Sequence, residues 1–293
     1  MSGVAMQKTS HPYVPPSGAK PPGKGLKPSA IILIVIGAIL LVVAGAFAVK
    51  ETAARREARR AADRKMLETL DEAQNDLRKQ MESDGSITDT RGMLKKMQAG
   101  FESAGASMTG DEAKVARASS RLFQAIQDAS VGMERLAKQL EEEEVFNAGK
   151  VKDRDRLKKI RRLGNELIVE SDSMLKLVLT SDVLFRKILQ EAGVGEATSR
   201  GVIEGMRKTM HLQEPLQRRI RGADRKIGQD MIAFADLLES EWGKWACDAD
   251  GEVTFQNDAA AEKFNKIIEG VQNAAADQAS AQKALVETMG KRR

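Results

Sequence analysis

KVKDRDRLKKIRRLGNELIVESDSMLKLVLTSDVLFRKILQE, residues 150–191, decides the fold class. Ile160, Leu163, Leu167, Met174, Leu177, Leu184 and Ile188 fall on heptad positions, and Glu170 and Ser181 are the polar exceptions on that seam. Leu175, Val178, Phe185 and Leu189 widen the apolar stripe beyond what a two-stranded seam can bury. A stripe of that width needs more than one neighbouring helix. The expectation is an all-α, multi-helix bundle rather than an extended dimeric rod.

The same period recurs on both sides. Thr109-Gly110-Asp111-Glu112 fits a capping box and opens a helix whose seam runs Val115, Leu122, Ile126, Ala129, Met133, Leu136 and Leu140, skipping Ser119. Glu141 to Glu144 and Asn147-Ala148-Gly149 mark a turn after it. A shorter helix after Asp84-Gly85 carries Met93, Leu94, Met97 and Phe101. Downstream, Ala192-Gly193-Val194-Gly195 ends the 150–191 helix, and Ile203, Met206 and Met210 begin another. At Pro215 either a new helix starts or a continuous one kinks. Ile220, Ile227, Met231, Phe234 and Leu238 carry the stripe on to Trp242 and Trp245. A last helix begins near Asn257 or Asp258 and packs through Phe264, Ile268, Val271, Ala275, Leu285 and Met289, with Gln278 and Gln282 loosening the same seam.

Proline distribution agrees. Six of the seven prolines lie before residue 29, and Pro215 is the seventh. Proline in a helix interior costs about 3 kcal/mol, so the rest of the chain is open to helix. One stretch departs from helical spacing: WACDADGEVTFQND, with Asp250-Gly251 between Ala246-Cys247 and Val253-Thr254-Phe255. It reads as a small β-hairpin near 246–255, either two very short strands or one extended turn, packed by Trp245 and Phe255.

The chain's cellular place is written in residues 30–49, AIILIVIGAILLVVAGAFAV, an unbroken apolar run. At 1.5 Å per residue such a run crosses the roughly 30 Å hydrocarbon core of a bilayer. Residues 1–28 form a Pro-, Gly- and Lys-rich tail expected to be disordered. Residues 29–50, with Ser29 as cap, form the expected transmembrane helix, and 51–293 the bundle. Cleavage as a signal peptide, at Ala46-Phe47-Ala48, is the rival, but the run is longer than the usual h-region. From Lys50 to Ser83 no Gly or Pro intervenes, so the membrane helix continues past the bilayer with a thin stripe of Met66, Leu70, Ala73, Leu77 and Met81. Lys50, Arg55, Arg56, Arg59, Arg60, Arg64 and Lys65 outnumber Lys20, Lys24 and Lys27 at the two flanks, which favours a cytoplasmic C-terminal domain. The acid-free tail reads instead as a signal anchor that would translocate that domain. Both orientations stay open.

The net charge of +5 does not point to nucleic acid. Lys8, Lys20, Lys24 and Lys27 lie in the tail without an acid, so the remainder is nearly neutral, and Tyr13 is the only tyrosine. A nucleic-acid surface combines a basic face with stacking aromatics. Two basic stretches remain, 150–162 and Arg218, Arg219, Arg221, Arg225 and Lys226; each reads as a solvated helix face paired with nearby acids.

The sequence nominates no catalytic, cofactor-binding or metal-ligating residue. Asp248-Ala249-Asp250-Gly251 fails as a calcium loop, because Ala246 and Asn257 stand where the first carboxylate and the bidentate glutamate belong. His211 has no metal-binding companion at helical spacing, and Cys247 lacks an activating neighbour. Walker, Rossmann and GxSxG patterns do not occur. Two functions follow. One is a non-enzymatic scaffold of the bacterial envelope, acting through a protein partner or self-association. The other is a ligand-sensing bundle that signals through the juxtamembrane helix, with convergent polar groups near Glu170 and Ser181.

The C-terminal stretch from Ala246 through DGEVTFQNDAAAEKFNKIIEGV resembles the end of an enterobacterial envelope lipoprotein family of unknown function. The resemblance rests on the Asp250-Gly251 turn, Phe255, Phe264-Asn265 and Ile267-Ile268, and covers residues 246–271. The chain departs from that family in having no cysteine beside its apolar run to carry a lipid. The resemblance implies a periplasmic domain anchored by residues 30–49, and it carries over no activity, because the family has none assigned.

Overall fold

The computed structural model describes residues 90–248 and 251–290, with Glu72, Asn75 and Lys79 as isolated helical positions before them. Within it lie α1 (Thr90–Ser107), α2 (Gly110–Glu143), a 3-10 turn (Ala148–Lys150), α3 (Arg154–Glu191), α4 (Glu196–Ser240), β1 (Trp245–Cys247), β2 (Val253–Phe255) and α5 (Asp258–Gly290). The chain is mostly helical with one small antiparallel sheet, as the periodicity demands. Among the described residues, no helix is long and apolar enough to cross a membrane. The apolar run 30–49 lies outside the described residues, as do the tail and most of the stretch from Lys50 to Ser83.

Each helix packs on the next in sequence, and the cross-contacts give their directions. Phe101 stacks on Phe123 at 5.2 Å, and Glu102 accepts from Ser120, so α1 and α2 are antiparallel. Arg156 at the start of α3 pairs with Glu143 at the end of α2. Lys114 at the start of α2 donates to the Gly193 carbonyl beyond the end of α3. Ser171 and Asp182 of α3 meet Asp224 and Arg207 of α4. Finally Phe234 and Arg219 of α4 meet Phe264 and Asp277 of α5. The result is an up-and-down array of long helices; α4, with 45 residues, extends about 67 Å at 1.5 Å per residue.

The helix ends show why the chain turns where it does. Asp153 caps α3 by accepting the Arg156 N–H at 2.8 Å. At the start of α5 the same kind of bond comes from Asn257, whose Oδ1 accepts the Ala259 N–H at 3.0 Å. Thr109 is the N-cap of α2, but its side chain makes no capping bond, and Gly110 takes a left-handed φ of 64°. The helix opens at the expected place, without the Thr109 side-chain bond of the expected box. Asp111 instead reaches across to the start of α4 and accepts the Gly195 N–H at 2.8 Å. That bond holds the Asp111 carboxyl below its ordinary value, helped by Lys114 and Thr198. Pro215 lies inside a continuous α4 and starts no new helix.

The expected hairpin is two short strands, pairing Trp245 with Phe255 and Cys247 with Val253. Trp245 and Phe255 pack on the core, and Phe255 lies 5.5 Å from Phe264. An aromatic chain, Phe146 to Phe234 to Phe264 to Phe255, ties this end of the array together.

Most of the two expected seams is buried, and single positions depart from them. On α3 the fully buried line is Leu167, Ser171, Met174, Val178, Ser181, Phe185 and Leu189, while Glu170, Leu177 and Leu184 are only half-buried. On α2, Ala129 is exposed, whereas Ser119 and Ser130 are buried. At Ala129 and Glu170 apolar spacing alone selects the wrong neighbour, because Ser130 and Ser171 are small enough to sit inside. Ser119 Oγ bonds the Val115 carbonyl at 2.8 Å, and Ser181 Oγ the Val178 carbonyl at 2.8 Å.

The α3–α4 crossing depends on Gly164 and Gly228. A Cβ on either glycine would sit 2.7 Å from the carbonyl oxygen of the other. Backbone is therefore packed on backbone, with no flexible side chain available to give way. Gly228→Ala should lower stability by about 1–3 kcal/mol. Gly222, exposed on the same helix with nothing near its would-be Cβ, should gain roughly 0.5–1 kcal/mol on replacement by alanine. Thermal unfolding of the two variants should shift the midpoint in opposite directions; equal shifts would contradict the crossing.

Candidate functional site: a buried arginine–aspartate node

Midway along α4, the core seam turns polar. Met206, Gln213, Gln217, Ile220, Asp224, Ile227 and Met231 follow one another at steps of three, four or seven, and all are buried. Continuing the seam phase through Pro215 identifies Gln213, Gln217 and Asp224, and that is the signal that breaking the pattern at Glu214-Pro215 hides. On α5, Gln278 and Gln282 are likewise almost wholly buried, so the polar interruption expected there is real.

Of these, Gln278 meets Asp224, which is fully buried. Its Oδ2 accepts from Ser171 Oγ of α3 at 3.1 Å and from Arg221 Nη1 of its own helix at 3.0 Å. Its Oδ1 accepts from Gln278 Nε2 of α5. Three helices thus donate to one carboxylate. Burial nevertheless raises the Asp224 carboxyl to about 6, and the opposing pulls of Arg221 and Ser171 only partly offset it. Desolvation wins because the group has lost all contact with water.

Arg221 is 3% exposed, unusual for an arginine even in a pair. One nitrogen serves Asp224, while Nε and Nη2 find no hydrogen-bond partner among the described residues. Guanidinium stays charged at any ordinary pH. The node therefore holds one fixed positive charge, one titratable negative charge, and a donor pair with capacity to spare.

Other residues singled out from sequence have plainer positions. Glu170 packs its carboxylate over Gly132 of α2, apart from the node. Ser181 is buried ten residues further along α3, 3.5 Å from Met210 Sδ. His211 is exposed. Cys247 is half-buried, and burial followed by the Asp248 charge pushes its thiol up, away from the reactive thiolate. Asp248 Oδ1 accepts the Glu252 N–H at 2.8 Å and so serves the turn; Asp250 lies outside the described residues. Among the described residues, no group of three or more His, Cys, Asp or Glu side chains is placed to hold a metal ion.

The two basic stretches are largely consumed in ion pairs. Arg156 and Lys159 both pair with Glu143, and Arg161 with Asp236 and Glu239. In the second stretch, Arg219 pairs with Asp277, Arg225 with Asp172, Arg218 with Glu214 and Lys226 with Asp230. Most of these bonds join one helix to another, so the basic side chains fasten the array. Exposed pairs are individually worth only about 0–1 kcal/mol, but they fix which helix faces which.

No family model matches this chain, and no curated protein or solved structure matches it.

The raised carboxyl gives the node a pH signature. The folded chain keeps the Asp224 proton up to about pH 6, whereas the unfolded chain releases it near 3.8. Between those values the folded state carries more protons. This group's contribution to stability is therefore complete below the lower value and lost as pH rises through 6. Asp224→Asn should remove that slope. The difference in unfolding free energy between wild type and Asp224→Asn should change by roughly 2–3 kcal/mol between about pH 4 and about pH 7.5, with wild type relatively more stable in acid. Denaturant unfolding at several pH values would measure it, and parallel curves would contradict the assignment.

Proposed function

We propose that this chain is a single-pass, membrane-tethered helical protein of the bacterial envelope, working through protein–protein contacts rather than catalysis. The observation that carries this reading is how the charged side chains are used. In an array of long antiparallel helices, the basic stretches that could have offered an anionic-polymer surface bind neighbouring helices instead. What such an array offers a partner is length and a mixed-charge lateral surface. The apolar run 30–49 supplies the tether, and the breaker-free stretch after Lys50 would hold the array away from the bilayer.

A second reading, a bundle that senses a ligand and signals through the juxtamembrane helix, gains from one specific observation. The interior of the α3–α4–α5 unit is polar at Ser171, Arg221, Asp224 and Gln278, a costly arrangement for a purely structural rod. Those are the convergent polar groups this reading requires, placed nearer Ser171 than Glu170 or Ser181.

Orientation divides the possibilities further. The flanking charges favour the cytoplasm, and the resemblance of residues 246–271 favours the periplasm. Deleting residues 30–49 should release the protein from the membrane fraction; retention would contradict the tether. Reporters active on only one side of the membrane, fused after Arg293, should give a signal on one side alone and choose between the orientations.

A further inference from the structure

Arginine offers two donor edges. In the guanidinium plane, Nε and Nη2 lie side by side and point the same way, a spacing that matches the two oxygens of a carboxylate. Arg221 spends Nη1 on Asp224 and keeps this side-on edge without an acceptor among the described residues. Buried donors left unmade are costly, more so on a charged group, and an edge of this shape selects its acceptor by geometry. We propose that the Arg221 edge, in the interior beside Asp224, is a binding site for a small carboxylate, and that binding is coupled to protonation of Asp224.

The coupling follows from charge. With the site empty of anion, Arg221 and Asp224 neutralise each other inside the array. A bound carboxylate brings a second negative charge beside Asp224, where low dielectric makes repulsion strong. Uptake of one proton by Asp224 restores neutrality: Arg221 keeps its charge, the ligand stays ionised and Asp224 becomes the neutral acid. Burial has already brought Asp224 close to that state. Gln278, the α5 donor to Oδ1, can follow the change, because an amide flip exchanges its donor for an acceptor.

The other charged groups flanking the node are already engaged. Asp172 of α3 pairs with Arg225, Asp277 of α5 with Arg219, and Asp230 of α4 with Lys226. His211, the one histidine among the described residues, is exposed and ten positions away along α4. Asp224 is therefore the group whose proton answers to the anion. For its biological use the site rests on the sensing reading; its existence does not.

Acetate is the probe, titrated into the full-length chain in detergent at constant ionic strength, with chloride as the control anion. Calorimetry in buffers of different ionisation enthalpy counts the protons taken up. At about pH 7.5 acetate should bind with uptake of close to one proton. If only the protonated node binds, affinity should be about twentyfold weaker near pH 7.5 than near pH 5.5. Arg221→Lys, which keeps the charge but loses the side-on edge, should abolish the acetate response. Asp224→Asn should bind at both pH values without proton uptake. In the wild-type chain, a single buried arginine Nε–H signal should move on saturation, a measurement that holds even where a variant fails to fold. Chloride acting as well as acetate, an unmoved Nε–H signal, or a pH dependence unchanged in Asp224→Asn would overturn the proposal. Saturable acetate binding that leaves the environment of a probe on the 50–83 segment unchanged would keep the site and remove the sensing reading.

Discussion

One carboxylate sets the relative positions of three helices in this array. Asp224 is fully buried, so its oxygens must be met by donors inside the array, and those come from α3, α4 and α5. The requirement fixes register. Sliding α3 by one heptad would offer Gly164 or Val178 in place of Ser171, and sliding α5 would offer Val271 or Leu285 in place of Gln278. Apolar layers tolerate such slips, since one aliphatic residue resembles the next. A buried charge does not, because losing a donor costs several kcal/mol. The ion pair contributes little net stability against an apolar replacement of equal volume. Its effect is to make one alignment of helices acceptable.

The remaining contacts are consistent with that alignment. Below the node, Gly164 and Gly228 bring the α3 and α4 backbones together, and Arg161 beyond them joins Asp236 and Glu239. Above it, Asp182 meets Arg207. α3 and α4 are thus fastened at four levels in a single antiparallel register. At the far end Asp111 and Lys114 of α2 clamp the turn between α3 and α4, and at the near end the phenylalanine chain joins the hairpin to α4 and α5. Charge, small residues and aromatics each act where the others cannot.

Much of the fold was legible because helices announce themselves by period. The stripe from Ile160 to Ile188, the turn at Asn147-Ala148-Gly149 and the Asp-Gly hairpin all follow from local chemistry, and the structure has helix, turn and hairpin there. Phase was harder to read. Glu170 and Ser171 are neighbours, and only packing against Asp224 makes Ser171 the inner one. The node was illegible for the same reason. Arg221 looks like one more member of a basic stretch, and Pro215 interrupts the eye before Asp224 is reached. Periodicity counts apolar residues, whereas this interior is specified by polar ones. The apolar run 30–49, by contrast, is legible from sequence alone and lies outside the described residues.

At the centre of all this stands Asp224 as a desolvated carboxyl held between three helices. Carbon-13 NMR of the aspartate side-chain carboxyls in the full-length chain, with the Asp224 resonance assigned by its loss in Asp224→Asn, tests this directly. The expected titration midpoint is about pH 6. A midpoint at or below the ordinary value of 3.8 would mean that the carboxylate is solvated or stabilised as an anion, and would contradict it.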